Sequence, residues 1–345
     1  MIPPTECRSL PLAEWPEEDR LAWQRVIAPN LSLLVDGDAF EYSPKTLKDL
    51  ESRYGRFLRF AGNIGALKAD AKAAASVTEP VVRQYILWLE PRVGSVSLAG
   101  TICKLLRVAT LFDPDRDWSW LRRFSRRLDS RKRPRDKRQD VVDIAQLVRL
   151  GFELMERAEK STGYTSFERA LLFRDGLIIA MLAKTVLRIG AFVGLDIDKN
   201  LSFAGTYWTV HVSARRNSKY RRPTEKPLPV AFTPLIDRWL REYRPRFGGA
   251  NEHRRLWPSR NGILSESQAS GMIVTRTKRA FGRPVGPHLF RHSAATMIYG
   301  DPGIDVDLAR AALDHTSQQT TDRHYNWSSM ENAVRAFQTT LGLRR

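Results

Sequence analysis

What the chain lacks narrows its chemistry first. Cysteine is nearly absent: Cys7 and Cys103 are the only two in 345 residues. Two thiols are too few for a disulfide framework or a thiolate zinc site, so a reducing cytosol is the expected compartment. No uninterrupted apolar run approaches membrane-spanning length, and Leu177 to Leu182, the best candidate, is far too short. The opening stretch MIPPTECRSLPLAEWPEEDR has neither a basic region nor an apolar core, so it is not expected to act as a signal peptide. Internal repeats, low-complexity tracts and the G-x-x-x-x-G-K-[ST] phosphate loop are all missing. Acidic residues are scarce too, with 38 Asp and Glu against 56 Lys and Arg, a net charge of +18. Solubility does not require that excess. It predicts a polyanionic partner, nucleic acid ahead of an acidic membrane because no lipid-directed helix is visible.

What is there divides into four stretches. Residues 1–38 are proline-punctuated and slightly acidic, and read as an N-terminal extension packed on a domain or a neighbouring subunit. Residues 39–120 read as an all-α domain of four or five helices. Leu47, Leu50, Tyr54, Phe57, Leu58 and Phe60 recur at helical spacing after Ser43-Pro44, and VVRQYILWLEPRVG and SVSLAGTICKLLRVATLF follow. Tyr54, Phe57 and Phe60 fit a buried stripe better than a DNA-facing one. Residues 121–139 hold the densest charge, Arg122 to Arg138 opposed only by Asp129 and Asp136, with Pro134 breaking any helix. They read as a basic interdomain linker lying across DNA, with Arg131, Lys132, Arg133, Arg135, Lys137 and Arg138 as phosphate contacts. A nuclear-localisation signal has the same local composition.

Residues 140–345 read as the second domain, which carries the chemistry. Asp140 is expected to cap its first helix, and FERALLFRDGLIIAMLAKT to form a buried central one. A short helix spans Leu187 to Leu195, and NLSF, TYWTVHV and KPLPVAF make one small antiparallel sheet of about three strands. The fold class is therefore mainly α with a small antiparallel β-sheet. Near the end, Gly286 to Trp327 gathers His288, Arg291, His315 and Tyr325. His288 precedes Arg291 by three residues, which puts both on one helical face. Cations, proton carriers and a phenolic nucleophile together suit attack on a phosphodiester.

These segments resemble the tyrosine recombinases, the phage integrases and their relatives. HLFRHSAAT resembles that family's His-x-x-Arg box, ALDHTSQQTTDRHY its closing histidine–tyrosine box, and TVLRIGAFVGL its first arginine box. The turn in VHVSARRNSKYRRPTEKPLPV resembles the hairpin that carries its lysine. The likeness runs in order through most of residues 140–330, while residues 39–120 match the family's core-binding domain in size and character only. It implies an N-terminal all-α core-binding domain and an α+β catalytic domain. It also implies Tyr325 as nucleophile, Arg188 and Arg291 as clamps on the non-bridging oxygens, and Lys219 as general acid. Lys226 is the rival for that last role, and His288 and His315 would assist. Losing either arginine would cost about 3–4 kcal/mol at the barrier by analogy with oxyanion-hole donors. Arg215, Arg216, Arg221 and Arg222 flank Lys219 as phosphate contacts without a base-reading role.

Two positions depart from the family pattern. Ala191 stands where an acidic residue usually follows the first arginine, and Asp314 stands where glycine usually precedes the last histidine. His288 and His292 are spaced as in a zinc helix, but Leu289 replaces the general base of H-E-x-x-H and no further ligands complete a site, so no metal or other cofactor is expected. The resemblance implies a site-specific integrase for a mobile element, acting through a 3′-phosphotyrosyl link. Its partners would be a duplex DNA target site and a homo-tetramer formed through exchange of a C-terminal helix from about residue 331, with an accessory DNA-bending protein as a further option. The expected location is the cytoplasm, on the nucleoid when acting, and no membrane is involved. A type IB topoisomerase and a catalytically silent DNA-binding relative are the alternatives.

Overall fold

The structure is a computed structural model that describes residues 8–28, 42–134, 140–213 and 223–300. The chain divides into two compact units, Met1–Asp136 and Lys137–Arg345.

Among the described residues of the first unit five α-helices follow one another: α1 (Glu17–Ile27), α2 (Pro44–Asn63), α3 (Glu79–Leu89), α4 (Ser95–Phe112) and α5 (Ser119–Ser130). Helix α2 begins where Ser43 accepts a hydrogen bond from the Thr46 amide, with Pro44 in the first turn, where its missing N–H costs nothing. Its Tyr54, Phe57 and Phe60 are buried together with Tyr85 of α3 and Ile102 of α4. Helix α4 is long and apolar enough in composition to cross a membrane, yet its Leu98, Leu105 and Val108 are sealed in this core. Residues 8–28, which include the short helix α1, pack on this domain, one of the arrangements expected of the N-terminal stretch. Trp15 and Trp23 are buried against Tyr54 and Phe112, and Gly55 lets the Leu10 backbone approach so closely that a Cβ there would lie 2.6 Å from the Leu10 carbonyl.

The linker also begins later than its charge implies. Residues 119–130 form α5, with Leu121 buried and Phe124 and Leu128 packed on the core. Apolar residues at i, i+3 and i+7 hold that helix down while Arg122, Arg123, Arg126 and Arg127 stay exposed.

The second unit is built on α6 (Ile144–Lys160) and α7 (Ser166–Thr185). Helix α6 is capped by Asp143, whose carboxylate accepts from the Ala145 amide at 2.8 Å, and not by Asp140. Helix α7 opens with a capping box between Thr165 and Glu168 and is buried along most of its length. The two helices cross at Gly151 and Gly176, where a Cβ on either would lie within 2.6 Å of the other's backbone oxygen. Short helices α8 (Ile189–Val193) and α9 (Ile197–Asn200) lead into an antiparallel sheet ordered β1 (Leu201–Phe203), β2 (Trp208–Val212), β3 (Thr224–Pro227). The third strand ends at Pro227 and does not run on through Phe232, because Pro229 and a 3-10 turn over Val230–Phe232 follow. After α10 (Thr233–Arg238) comes a second, unexpected ladder, β4 (Pro258–Ser259) with β5 (Gly262–Ile263), turning at Arg260-Asn261. Helices α11 (Glu266–Phe281) and α12 (Pro287–Gly300) close the described chain.

Candidate active site

The site is organised by a sharp corner between α7 and α8. Val186 ends α7 in the left-handed conformation, φ 53°, a region that β-branched residues avoid at a cost of order 1–3 kcal/mol. The corner turns the chain so that Arg188, two residues on, becomes the N-cap of α8 in extended geometry, half-buried. From α12, Arg291 is 8% exposed and donates from Nη1 to the Val186 carbonyl. One backbone carbonyl thus ties the Arg291 guanidinium to the corner that presents Arg188, although 103 residues separate them in sequence. His288 lies exposed one turn before Arg291, and its ring meets that of His292 edge-on at 4.9 Å.

The far end of α8 is anchored from the segment before β4. Trp257 donates its indole N–H to the Phe192 carbonyl at 3.0 Å and stacks on the Phe192 ring at 5.2 Å. Arg255 donates to the Gly194 carbonyl, and the Leu256 amide to the Leu195 carbonyl at 2.9 Å. These bonds satisfy the carbonyls that a short helix leaves open at its C-terminus, and they fix the helix that Arg188 begins. None of these anchors was singled out from sequence; a tryptophan in RRLWP, between two turn-forming stretches, was the available signal. Ala191 is half-buried on α8 and brings no carboxylate. The Glu266 carboxylate, from the first turn of α11, does come close, with Oε2 3.2 Å from where a Cβ on Gly190 would stand.

The structure brings Arg188, Arg291 and His288 into one region of the second unit. Tyr325, His315, Lys219, Arg215, Arg216, Arg221, Arg222, Arg135, Lys137 and Arg138 lie outside the described residues, as does Asp314. Lys226, the alternative acid, is half-buried in β3 with its Cα opposite Val210. Arg131, Lys132 and Arg133 belong to the first unit and are exposed. Lys132 pairs with Asp129, and the Arg133 amide donates to Ser95 Oγ at 2.9 Å. The exposed arginines of α5, Arg122, Arg123, Arg126 and Arg127, extend this cationic surface. Their signal was the helical spacing of Leu121, Phe124 and Leu128 beneath the charge. On β2 the His211 ring is 2.6 Å from Ser202 Oγ and 3.3 Å from Glu225. Among the described residues no group of three His, Cys, Asp or Glu side chains is arranged to hold a metal ion.

With this geometry in hand the chain can be compared with known proteins. Residues 153–332 match the sequence profile of the phage integrase family, just over half of the chain. The chain belongs to that family, the tyrosine recombinases. Among curated relatives it is similar to the tyrosine recombinase XerC of Mycobacterium leprae (strain TN), 31% identical over 153 residues, which is 44% of this chain and 49% of that protein. XerC of Mycobacterium tuberculosis (strain ATCC 25177 / H37Ra) is 30% identical over 153 residues. The chain spans about half the length of the curated relatives it matches. Among solved structures the XerH site-specific recombinase bound to its difH substrate, in a pre-cleavage complex, aligns with a TM-score of 0.57 at 16% identity, covering 84% of this chain and 80% of that one. Its post-cleavage complex aligns with a TM-score of 0.54. The helical fold with its small antiparallel sheet is that of the tyrosine-recombinase catalytic domain.

Proposed function

We propose that this protein is a site-specific DNA recombinase that cuts and rejoins duplex DNA through a tyrosine, serving integration or excision of a mobile element. The observation that carries the reading is the single carbonyl of Val186 joining Arg291 to the corner before Arg188. Two guanidiniums presented from one corner suit one phosphate, because each planar fork matches two oxygens and neither charge titrates. Tyr325 lies in the family-matched span and supplies the nucleophile. Its oxygen bonds to the scissile phosphorus as the bond to the 5′-oxygen breaks. The phenolic proton leaves by way of His288, and the departing 5′-oxygen takes a proton from Lys219. Arg188, Arg291 and His315 stabilise the added negative charge on the non-bridging oxygens. The 3′-phosphotyrosyl link conserves the bond energy, and a 5′-hydroxyl from the partner strand reverses the step. Assembly as a tetramer across two sites, coupled through the C-terminal segment from about residue 331, belongs to this proposal. So does action on the nucleoid in the cytoplasm.

The test is a nicked suicide duplex carrying the element's own end sequence, from which the cleaved fragment diffuses away. Wild-type protein should accumulate a covalent protein–DNA adduct that Tyr325→Phe does not form. Ala191 favours one other reading, a DNA-binding relative without cleavage. Wild-type protein that binds the duplex and forms no adduct would establish it.

A further inference from the structure

Away from the corner that holds Arg188 and Arg291, the second unit contains a cleft of about 400 Å³ between α6 and the C-terminal half of α11. Arg149 and Arg157 of α6 and Arg276 and Arg279 of α11 line it, over a floor that includes Leu150 and Phe281. The four guanidiniums are not equivalent. Arg276 is committed, its Nε and Nη2 donating at 3.0 and 2.7 Å to Asp175, a buried carboxylate that also takes two bonds from Arg174. The side chains of Arg149, Arg157 and Arg279 enter no ion pair or hydrogen bond among the described residues. Glu153 sits four residues from each α6 arginine, on the same helical face, without pairing to either.

Three like charges facing one another across a gap repel until an anion enters, and an apolar floor strengthens that attraction by lowering the local dielectric. We infer that this cleft holds a phosphodiester of the DNA backbone, a sequence-independent contact distinct from the cut phosphate. The occupant is argued from continuity of charge. Helix α12, which carries Arg291, packs against both α6 and α11, and Arg283 lies between α11 and α12 in the chain, where it donates to the Val141 carbonyl at 3.2 Å. A polyanion engaged at the candidate site can therefore follow cations to the cleft within one unit. An acidic protein segment is the competing occupant.

The inference rests on the DNA-binding part of the reading above and does not need cleavage. The experiment measures binding of the full chain to a labelled duplex of arbitrary sequence by fluorescence anisotropy across a salt series. Each phosphate neutralised contributes about −0.9 to the slope of log K against log salt. The triple variant R149Q/R157Q/R279Q should flatten the slope by about 2–3, whereas R238Q/R241Q/R254Q, which removes three cations already matched by Glu159, Asp237 and Asp198, should leave it unchanged. E153Q should move the other way and tighten binding. Arg276 is left in place because its loss would strip the buried Asp175. An unchanged slope in the cleft triple, or equal flattening in the control triple, overturns the inference. So does loss of self-association with the slope intact, which assigns the cleft to an acidic protein surface. A wild-type chain that does not bind duplex DNA at all overturns the functional reading itself.

Discussion

Arg291 has a structural contact and, in the proposed reaction, a catalytic one, and substitutions should separate the two. Its guanidinium is nearly buried and bonded to the Val186 carbonyl, so Arg291→Ala leaves that carbonyl without its donor and should lower the stability of the second unit by about 1–3 kcal/mol, read by denaturant unfolding. Adduct formation should fall by about 100- to 1,000-fold in the same variant. Arg291→Lys keeps the charge and loses the fork, so it should recover stability better than rate. In the first unit, burial raises the Asp19 carboxyl from its ordinary value, against the lowering effect of bonds from the Ala74 amide at 2.7 Å and the Tyr54 hydroxyl at 2.8 Å. The folded state therefore holds a proton that the unfolded chain releases. Stability from this group is fully present below the ordinary carboxylate value and is lost as pH rises through the raised folded value. Asp19→Asn keeps an oxygen for both donors and should abolish that fall, seen as a wild-type stability that declines relative to the variant as pH rises through the window. A difference between the two proteins that stays constant with pH would refute the assignment.

At the scale of elements, periodicity carried further than local charge. The stripe through Tyr54, Phe57 and Phe60 and the apolar length of α7 were readable as core because helical spacing of apolar residues has one economical use, and those residues are buried. Helix α5 was hidden by its own arginines, which mimic a solvated linker in composition. The cap at Asp143 was hidden because Asp140 is as good a residue for the role, and only the backbone path selects between them. The α6–α7 crossing shows what spacing cannot reveal. Gly151 and Gly176 are ordinary helical glycines in sequence, yet each faces the other's backbone. Gly176→Ala should cost about 2–3 kcal/mol, since the obstacle is a carbonyl rather than a side chain that can turn aside. Thermal unfolding of the second unit measures it, and a neutral substitution would mean that the helices can slide apart.

For the whole molecule, the order of the boxes was legible while their meeting was not. Nothing in the sequence indicates that Arg291 reaches the Val186 carbonyl, that Trp257 and Arg255 hold the end of α8, or that Arg149 and Arg279, 130 positions apart, share a cleft. Such facts depend on how α6, α7, α11 and α12 pack, and packing is set by many weak contacts with no local signature. The net charge of +18 does have a clear meaning at this scale, a surface matched to a polyanion. In the proposed reaction Tyr325 attacks DNA while Arg188 and Arg291 hold the phosphate. The most direct measurement is mass spectrometry of the peptide that stays linked to DNA after a suicide substrate reacts and the protein is digested. One linkage is expected, from Tyr325 to a 3′-phosphate. Attachment at another residue, or at a 5′-phosphate, would contradict it.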